Sequence, residues 1–210
     1  MAETKIGRMV LGSYQTNCYF IYQEEANKAI VVDPADQGAK IYDALQRNGI
    51  TVEAILLTHG HFDHIWGTKE LREAAGVKLY ALDAEKALCE DSHNNVSDMT
   101  GRPYTVTPDE YLKDGQELTL AGIHFQVIAT PGHTIGSCCY YFPEAGFLVS
   151  GDTLFAESVG RTDFPTGSMS SIVRSIKEKL YVLPGETKVY PGHGDSTTIE
   201  HEMRYNPFTA

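Results

Sequence analysis

Three histidines and one aspartate crowd into a single short segment, residues 58–64, which reads THGHFDH. Imidazole nitrogen and carboxylate oxygen are ligands that suit zinc, iron or manganese. The segment follows a run of apolar residues typical of a buried strand, and a strand end holds a loop rigidly. Gly60 lets the backbone turn tightly enough to aim the neighbouring side chains inward. These features predict a metal site at this loop.

Three later segments repeat the pattern of an apolar strand followed by a glycine and a ligand-type residue. They read TPGHT, SGDT and YPGHG, at residues 130–134, 150–153 and 190–194. A single histidine after a Pro-Gly turn is usually only a polar turn residue, but turn chemistry requires histidine at none of these positions. We therefore interpret the four segments as one site for one or two metal ions, with two favoured. The predicted ligands are His59, His61, Asp63, His64, His133, Asp152 and His193.

The segments between these loops alternate between strand-type and helix-type patterns, with no obvious linker. Apolar runs bounded by turn residues predict strands at 8–11, 17–22, 28–32, 54–57, 78–81, 118–120, 124–129, 137–142, 147–150 and 188–190. Helical spacing of apolar residues predicts helices at 39–47, 65–75, 84–89 and 170–180 and a last helix around residue 201, while the polar residues 91–108 predict a long loop. Because hairpins argue against a purely parallel sheet, we expect a layered α/β (α+β) fold with two stacked sheets, in one domain spanning residues 1–210.

Composition and charge disfavour several classes of function. The 210 residues are 42% hydrophobic and 21% charged, which is ordinary for a globular protein. The formal net charge of −11 disfavours nucleic acid and anionic membrane surfaces, because both attract basic proteins. The N-terminal segment lacks the basic and apolar regions of a secretory signal, and no apolar run approaches the length of a membrane span. We therefore expect a cytoplasmic protein with reduced thiols at Cys18, Cys89, Cys138 and Cys139.

In this order and spacing, the segments THGHFDH, PGHT, GDTLF and PGHG resemble the motifs of the metallo-β-lactamase superfamily. The resemblance extends over nearly the whole chain, from VVDPAD at residues 31–36 to the last histidine loop. It implies a four-layer αββα sandwich, the metallo-β-lactamase fold, with the metal site at one edge between two sheets. It also implies two divalent metal ions, with zinc favoured and iron or manganese as alternatives.

The resemblance further implies a role for each ligand. The first metal would be bound by His59, His61 and His133, and the second by Asp63, His64 and His193. Asp152 would bridge the two, and Asp33 would support the ligand loop without binding metal.

Two such cations can share a hydroxide at neutral pH while one of them polarises the electrophile, which is hydrolase chemistry. The candidate catalytic residues are therefore Asp63, His64 and Asp152. Asp63 is either a ligand or, beside a single metal, an unligated general base. Ligation is favoured because His64 and His193 would otherwise lack a metal.

Within the superfamily, the chain resembles most the glyoxalase II group, the hydroxyacylglutathione hydrolases, in a short bacterial form without the C-terminal helical domain. This resemblance lies in GDTLF followed by GRTDF at residues 160–164, and in the ending TTIEHEMRYNPF. It implies hydrolysis of a small-molecule thioester of the S-lactoylglutathione type, as in methylglyoxal detoxification. A thiolate whose conjugate acid has a pKa near ~8.5 leaves without a strong general acid.

The thiol carrier is a separate question. Arg161 aligns with a family lysine that grips glutathione, and it would bind a substrate carboxylate in the same way. Family tyrosines near that lysine and after the last ligand histidine are replaced by Asp163 and Asp195. Acidic residues do not suit an anionic tripeptide, so another thiol carrier, or a broader range of thioesters and esters, stays open.

Other activities of the same fold are alternatives. A persulfide dioxygenase, which also carries a GRTDF-like segment, would use one iron held by His59, His133 and Asp152. A lactonase or phosphodiesterase of the same superfamily is the third alternative. A non-catalytic binding protein is disfavoured because all seven ligands are present. Asp152 argues against antibiotic hydrolysis as the main activity, because β-lactamases proper generally differ at the second metal. We expect a monomer or a small homo-oligomer.

Overall fold

The computed structural model describes residues 3–210; Met1 and Ala2, the start of the segment interpreted above as lacking a secretory signal, lie outside the described residues. The strands are β1 Thr4–Leu11, β2 Thr16–Gln23, β3 Lys28–Val32, β4 Thr51–Leu56, β5 Lys78–Leu82, β6 Glu110–Leu112, β7 Glu117–Leu120, β8 Ile123–Ala129, β9 Cys138–Phe142, β10 Phe147–Gly151, β11 Leu154–Phe155, β12 Ser158–Val159, β13 Lys188–Pro191 and β14 Thr197–Thr198. The helices are α1 Gly38–Arg47, α2 Phe62–Ile65, α3 Thr68–Ala75, α4 Lys86–Cys89, α5 Met169–Ser175 and α6 Ile199–Tyr205. Within residues 3–210, no helix combines the length and the apolar composition needed to cross a membrane.

Two six-stranded mixed sheets form the centre of the molecule. The first has the strand order β1-β2-β3-β4-β5-β6, with antiparallel pairs up to β3 and parallel pairs from β3 to β6. The second has the order β14-β13-β10-β9-β8-β7, in which the β10–β13 pair is parallel and the other pairs are antiparallel. The presence of antiparallel as well as parallel strand pairs in both sheets agrees with the hairpins predicted from the sequence.

Three apolar clusters show how the layers stack. Between the sheets, side chains such as those of Ile30 and Val32 on β3 meet those of Phe125 and Tyr140 on β8 and β9. The outer face of the first sheet packs against α1 and α3, and the outer face of the second packs against α5 and α6. Alternation along β9 illustrates the pattern, because Cys138 and Tyr140 face the partner sheet while Cys139 faces α5. The predicted αββα sandwich is confirmed.

The strand directions bring the ligand loops to one edge of this sandwich. In the first sheet, β3 and β4 are parallel, and Asp33 and the 58–64 loop follow their carboxyl ends. In the second sheet, β8 and β10 both run antiparallel to β9, and β13 runs parallel to β10. The residues that follow these three strands, His133, Asp152 and His193, therefore leave the sheet at the same edge.

Several predicted elements differ from the structure in their bounds. The prediction of one continuous helix at 65–75 is wrong, because the helix is interrupted at Trp66-Gly67 between α2 and α3. At this interruption the Gly67 amide donates to the Ala35 carbonyl, and residues 34–38 pack closely against Gly67. The 84–89 helix begins with a 3-10 turn, the 170–180 helix ends in a π turn, and the 91–108 loop contains a 3-10 turn at Ser97–Thr100. All four cysteines are buried and free, as expected.

We expect Tyr140→Phe to lower the free energy of unfolding by about 1 to 3 kcal/mol. The buried Tyr140 hydroxyl donates to the Leu57 carbonyl at 2.6 Å and so joins the two sheets just before the 58–64 loop. Removing the donor leaves a buried carbonyl without its strong partner. Chemical denaturation measures the change. Tyr141→Phe, on the opposite face of β9, is the control, and equal losses in both variants would show that the inter-sheet bond contributes nothing.

Candidate metal centre and active site

The structure brings all seven predicted ligands together at the sheet edge. In the first group, His59, His61 and His133 offer ligand atoms that all lie within 4.8 Å of one another, and all three side chains are buried. His61 Nδ1 and His133 Nε2 are 2.8 Å apart. Their convergence places three imidazoles at the deep side of the site.

A second group lies beside the first. Asp63, His64 and His193 also offer ligand atoms within 4.8 Å of one another. The Asp63 Oδ2 atom lies 3.2 Å from His193 Nε2 and 3.7 Å from His64 Nε2. His193 is partly exposed, so this group faces the solvent side of the site.

Asp152 lies between the two groups. Its Oδ1 atom is 3.4 Å from His64 Nε2, and its Oδ2 atom is 3.6 Å from both His133 Nε2 and His193 Nε2. One carboxylate therefore contacts imidazoles of both groups, which is the position that a bridging ligand needs.

The hydrogen bonding of these side chains fits metal ions. Among the described residues, four buried polar atoms of the site have no hydrogen-bond partner: His59 Nε2, His61 Nε2, His64 Nε2 and Asp152 Oδ1. Buried polar groups without partners are costly and rare, and several in one place indicate a ligand. The donor set of five imidazoles and two carboxylates suits zinc, iron or manganese. The arrangement offers ligands for two metal ions.

The electrostatic environment of the same side chains favours the binding of cations. Burial lowers the pKa of His59, His61 and His133, that of His61 to about 3, so these imidazoles are neutral and keep a lone pair for a metal. Burial opposes ionisation of Asp152, but the neighbouring histidines, His64 first, outweigh it and lower the pKa of the carboxyl. Burial likewise opposes a charge on His64, yet the surrounding aspartates raise its pKa. A positive charge is therefore stabilised at this position.

Asp33 supports the ligand loop from behind. Its Oδ1 atom accepts from the Thr58 amide at 2.8 Å, and its Oδ2 atom accepts from the Thr58 hydroxyl at 2.6 Å. The same Oδ2 lies 2.9 Å from His64 Nδ1, which leaves His64 Nε2 facing the site. Asp33 also forms a candidate metal group with His59 and His64, but its oxygens are already occupied by Thr58. The contacts are those of an orienting carboxylate.

Other ligands are oriented in similar ways. His133 Nδ1 donates to the Arg161 carbonyl at 2.7 Å, so Nε2 is left for the site. Thr16 donates to Asp63 Oδ2 at 2.9 Å, and Asn17 donates to the carbonyls of Pro191 and Gly194 on either side of His193. The first two residues of β2 thus hold the second group in place.

The glycines before the ligands serve two different needs. Gly132 and Gly151 have positive φ values of 146° and 49°, which favour glycine, and a Cβ at either would also overlap Ile172 or Thr58. Gly192 is required by space alone, because a Cβ there would overlap the Asp152 carboxylate and the His64 ring. The sequence pattern predicts a tight turn in each case, but only the structure separates the two causes.

Glu85 is a supporting residue that the sequence did not reveal. It is fully buried, and one carboxylate oxygen accepts from the Gly60 amide at 2.8 Å while the other accepts from the Gly136 amide at 2.8 Å. The Thr134 hydroxyl donates to the same carboxylate at 2.9 Å. Glu85 therefore ties the 58–64 loop to the loop that carries His133. No sequence pattern marks it, because it follows an ordinary strand and lies in no motif.

A cavity of about 410 Å³ opens onto the two groups of ligands. Its walls contain four aromatic side chains, from Tyr14, Phe62, Phe155 and Phe164, together with Arg161. Arg161, predicted to bind substrate, does lie in this wall, but its guanidinium is paired with Asp163. The predicted 91–108 loop supports the wall without lining it, since buried Val96 packs behind Phe62.

Comparison with known proteins identifies the family. The family model described as "Metallo-beta-lactamase superfamily" matches residues 11–193. "Probable metallo-hydrolase YqgX" of Bacillus subtilis is 39% identical over 203 residues, which are 96% of this chain and 95% of that protein. "Hydroxyacylglutathione hydrolase GloC" of Haemophilus influenzae is 32% identical over 199 residues, 93% of each protein.

Solved structures agree with this assignment. The crystal structure of BLEG-1 B3 metallo-beta-lactamase superimposes with a TM-score of 0.94 at 38% identity, covering 98% of this chain and 100% of that one. That of TTHA1623 in a di-iron-bound form gives a TM-score of 0.86 at 37% identity, covering 96% and 99%. The fold, the ligand loops at its edge and these matches lead to one conclusion: the chain belongs to the metallo-beta-lactamase superfamily.

Proposed function

We propose that this protein is a metal-dependent hydrolase that cleaves thioesters of the S-lactoylglutathione type at a dinuclear site. The observation that carries the proposal is the pair of ligand groups, joined by Asp152, at the base of a cavity of about 410 Å³. His59, His61 and His133 would hold one metal ion and Asp63, His64 and His193 the other. Zinc is the first choice, with iron or manganese as alternatives.

Bound metal ions would supply a hydroxide nucleophile at neutral pH and polarise the acyl carbonyl. The chain itself positions the candidate ligands through Asp33, Thr16 and Asn17, and four aromatic side chains line the cavity in which the acyl group would bind. In the reaction, the oxygen of water forms a bond to the acyl carbon, the C–S bond breaks, and the sulfur leaves with the bonding electrons. The products at neutral pH are a carboxylate, a thiol and one proton. Because a thiolate is a good leaving group, the reaction needs no strong general acid.

Two similarities support this choice. GloC, at 32% identity, is named as a hydroxyacylglutathione hydrolase, and it matches over 93% of its length. TTHA1623, at 37% identity, was solved in a di-iron-bound form. The GRTDF segment and the seven-ligand pattern of this chain add the resemblance described above.

The proposal is tested by metal content and thiol release measured on the same preparation. Protein purified without a metal-binding tag should contain about two zinc, iron or manganese ions per chain. Release of free thiol from S-lactoylglutathione should rise with metal content and stop after chelation. One iron per chain with oxygen uptake on glutathione persulfide would instead identify a dioxygenase. Efficient opening of a β-lactam by a preparation inactive on thioesters would identify a β-lactamase.

A further inference from the structure

The positive charge of Arg161 at the cavity wall is partly offset by an exposed ion pair with Asp163. Its Nε and Nη2 atoms donate to the two carboxylate oxygens of Asp163, both at 2.7 Å. The guanidinium carbon also lies 3.8 Å from the centre of the Phe164 ring. Asp163 therefore binds one edge of the guanidinium and Phe164 covers one face, while the edge at Nη1 is not used by Asp163. A substrate carboxylate would have to bind at that remaining edge, close to the negative charge of Asp163.

Two other arginines near the site each contact a carboxylate through one atom. Arg102 lies over the Trp66 ring and 3.2 Å from Asp36, and Arg8 lies 3.6 Å from Asp195. Among the residues that line the described cavity, Arg161 is the only lysine or arginine. The whole chain carries a formal net charge of −11. Apart from the proposed metal ions at its base, the cavity therefore provides little attraction for an anionic ligand.

The remaining wall is aromatic on both sides of the ligands. Tyr14 packs edge-on against Phe62 on one side, with ring centres 4.8 Å apart. On the other side, Phe164 packs edge-on against His61 at 5.6 Å, and Phe155 lies 6.4 Å from His193. Aromatic rings so close to the ligands offer contact area to an apolar group attached near the reacting carbon.

We propose that the physiological thioester has an apolar acyl group and an uncharged thiol portion, and that the Arg161–Asp163 pair disfavours selective recognition of glutathione. This inference rests on the proposed thioester hydrolysis and narrows its substrate class. Glutathione at neutral pH bears two carboxylates and one ammonium group, and so a net negative charge. The cavity matches this charge distribution poorly and matches an apolar acyl group well.

The first test uses the metal-loaded enzyme and three defined thioesters. Lactoyl-S-glutathione and lactoyl-S-N-acetylcysteamine share the acyl group, while phenylacetyl-S-N-acetylcysteamine shares the neutral thiol with the second. We expect kcat/KM for lactoyl-N-acetylcysteamine to equal or exceed that for lactoylglutathione. The phenylacetyl thioester should exceed the lactoyl one by about tenfold, because a ring buries more apolar area. A glutathione thioester cleaved tenfold better than its neutral counterpart would overturn the inference and leave thioester hydrolysis intact. Failure on all three substrates would overturn the proposed function instead.

A second test releases Arg161 from its partner. Asp163→Ala should shift the ratio of kcat/KM for the two lactoyl thioesters towards glutathione by about fivefold, the upper end of the range for one exposed ion pair. Glu200→Ala is the matched control, because it removes one negative charge from the exposed Arg204–Glu200 pair outside the cavity lining and leaves the Arg161–Asp163 pair in place. Asp163 and Glu200 are both exposed, so neither change affects the core. An unchanged ratio in Asp163→Ala, or an equal shift in Glu200→Ala, would contradict a gating role for the pair.

Discussion

We expect Asp152→Asn to reduce kcat for thioester hydrolysis by on the order of 10³-fold, the scale of several kcal/mol of Lewis-acid stabilisation. Asp152 is the carboxylate that contacts imidazoles of both ligand groups. An amide has nearly the same shape but no charge, so it binds a cation far more weakly than a carboxylate. The neighbouring histidines that now keep Asp152 ionised would lose their counter-charge. The measurement is kcat on a thioester together with metal content per chain.

The control for this variant is Asp43→Asn, which makes the same chemical change at an exposed aspartate on α1. It should keep both the metal content and kcat of the unmodified enzyme. Circular dichroism of both variants separates loss of metal from loss of fold. An Asp152→Asn enzyme that keeps about two metal ions and an activity within a few-fold of the original would show that Asp152 is not a ligand.

The convergence of the seven candidate ligands was predictable from the sequence because metal chemistry restricts the residue types of ligands and tight turns require glycine beside them. His133 and His193 each follow a strand and a Pro-Gly pair, and the structure brings both to the edge that contains the 58–64 loop. The layered fold was predictable because successive residues of a strand point to opposite faces of its sheet, and apolar residues at both sets of positions indicate that both faces are buried. Their roles as metal ligands stay predictions until metal is measured.

What the sequence could not reveal depends on contacts between distant residues. The break at Trp66-Gly67 arises because residues 34–38 pack against Gly67, and no local pattern records that contact. Arg161 and Asp163 are close in sequence, yet only the structure shows that Asp163 binds the guanidinium that was predicted to bind substrate. The bounds of the helices were predicted least accurately, because tertiary packing determines them as much as intrinsic helix propensity does.

Glu85 is the clearest case of a functional contact without a sequence signal, and it leads to a second large expected effect. Glu85→Gln should weaken metal affinity by about 10- to 100-fold, as substitutions of groups that orient metal ligands generally do. The two carboxylate oxygens accept from the amides of Gly60 and Gly136, one each. A glutamine side chain has a single acceptor oxygen, so its NH2 group must face one of these amides. The 58–64 loop and the His133 loop would then move apart.

The matched control for Glu85→Gln is Glu202→Gln. Glu202 is also fully buried and accepts hydrogen bonds from the Glu157 amide and the Thr197 hydroxyl, but it ties together no ligand loops. Both variants should lose stability by about 1 to 3 kcal/mol, since each leaves a buried donor unpaired. Only Glu85→Gln should also shift zinc affinity, measured by competition with a chromophoric chelator. Equal zinc affinities in the two variants would show that Glu85 stabilises the fold without orienting the metal ligands. A selective loss in Glu85→Gln would show that the distance between the two histidine loops is set by a carboxylate that never touches the metal.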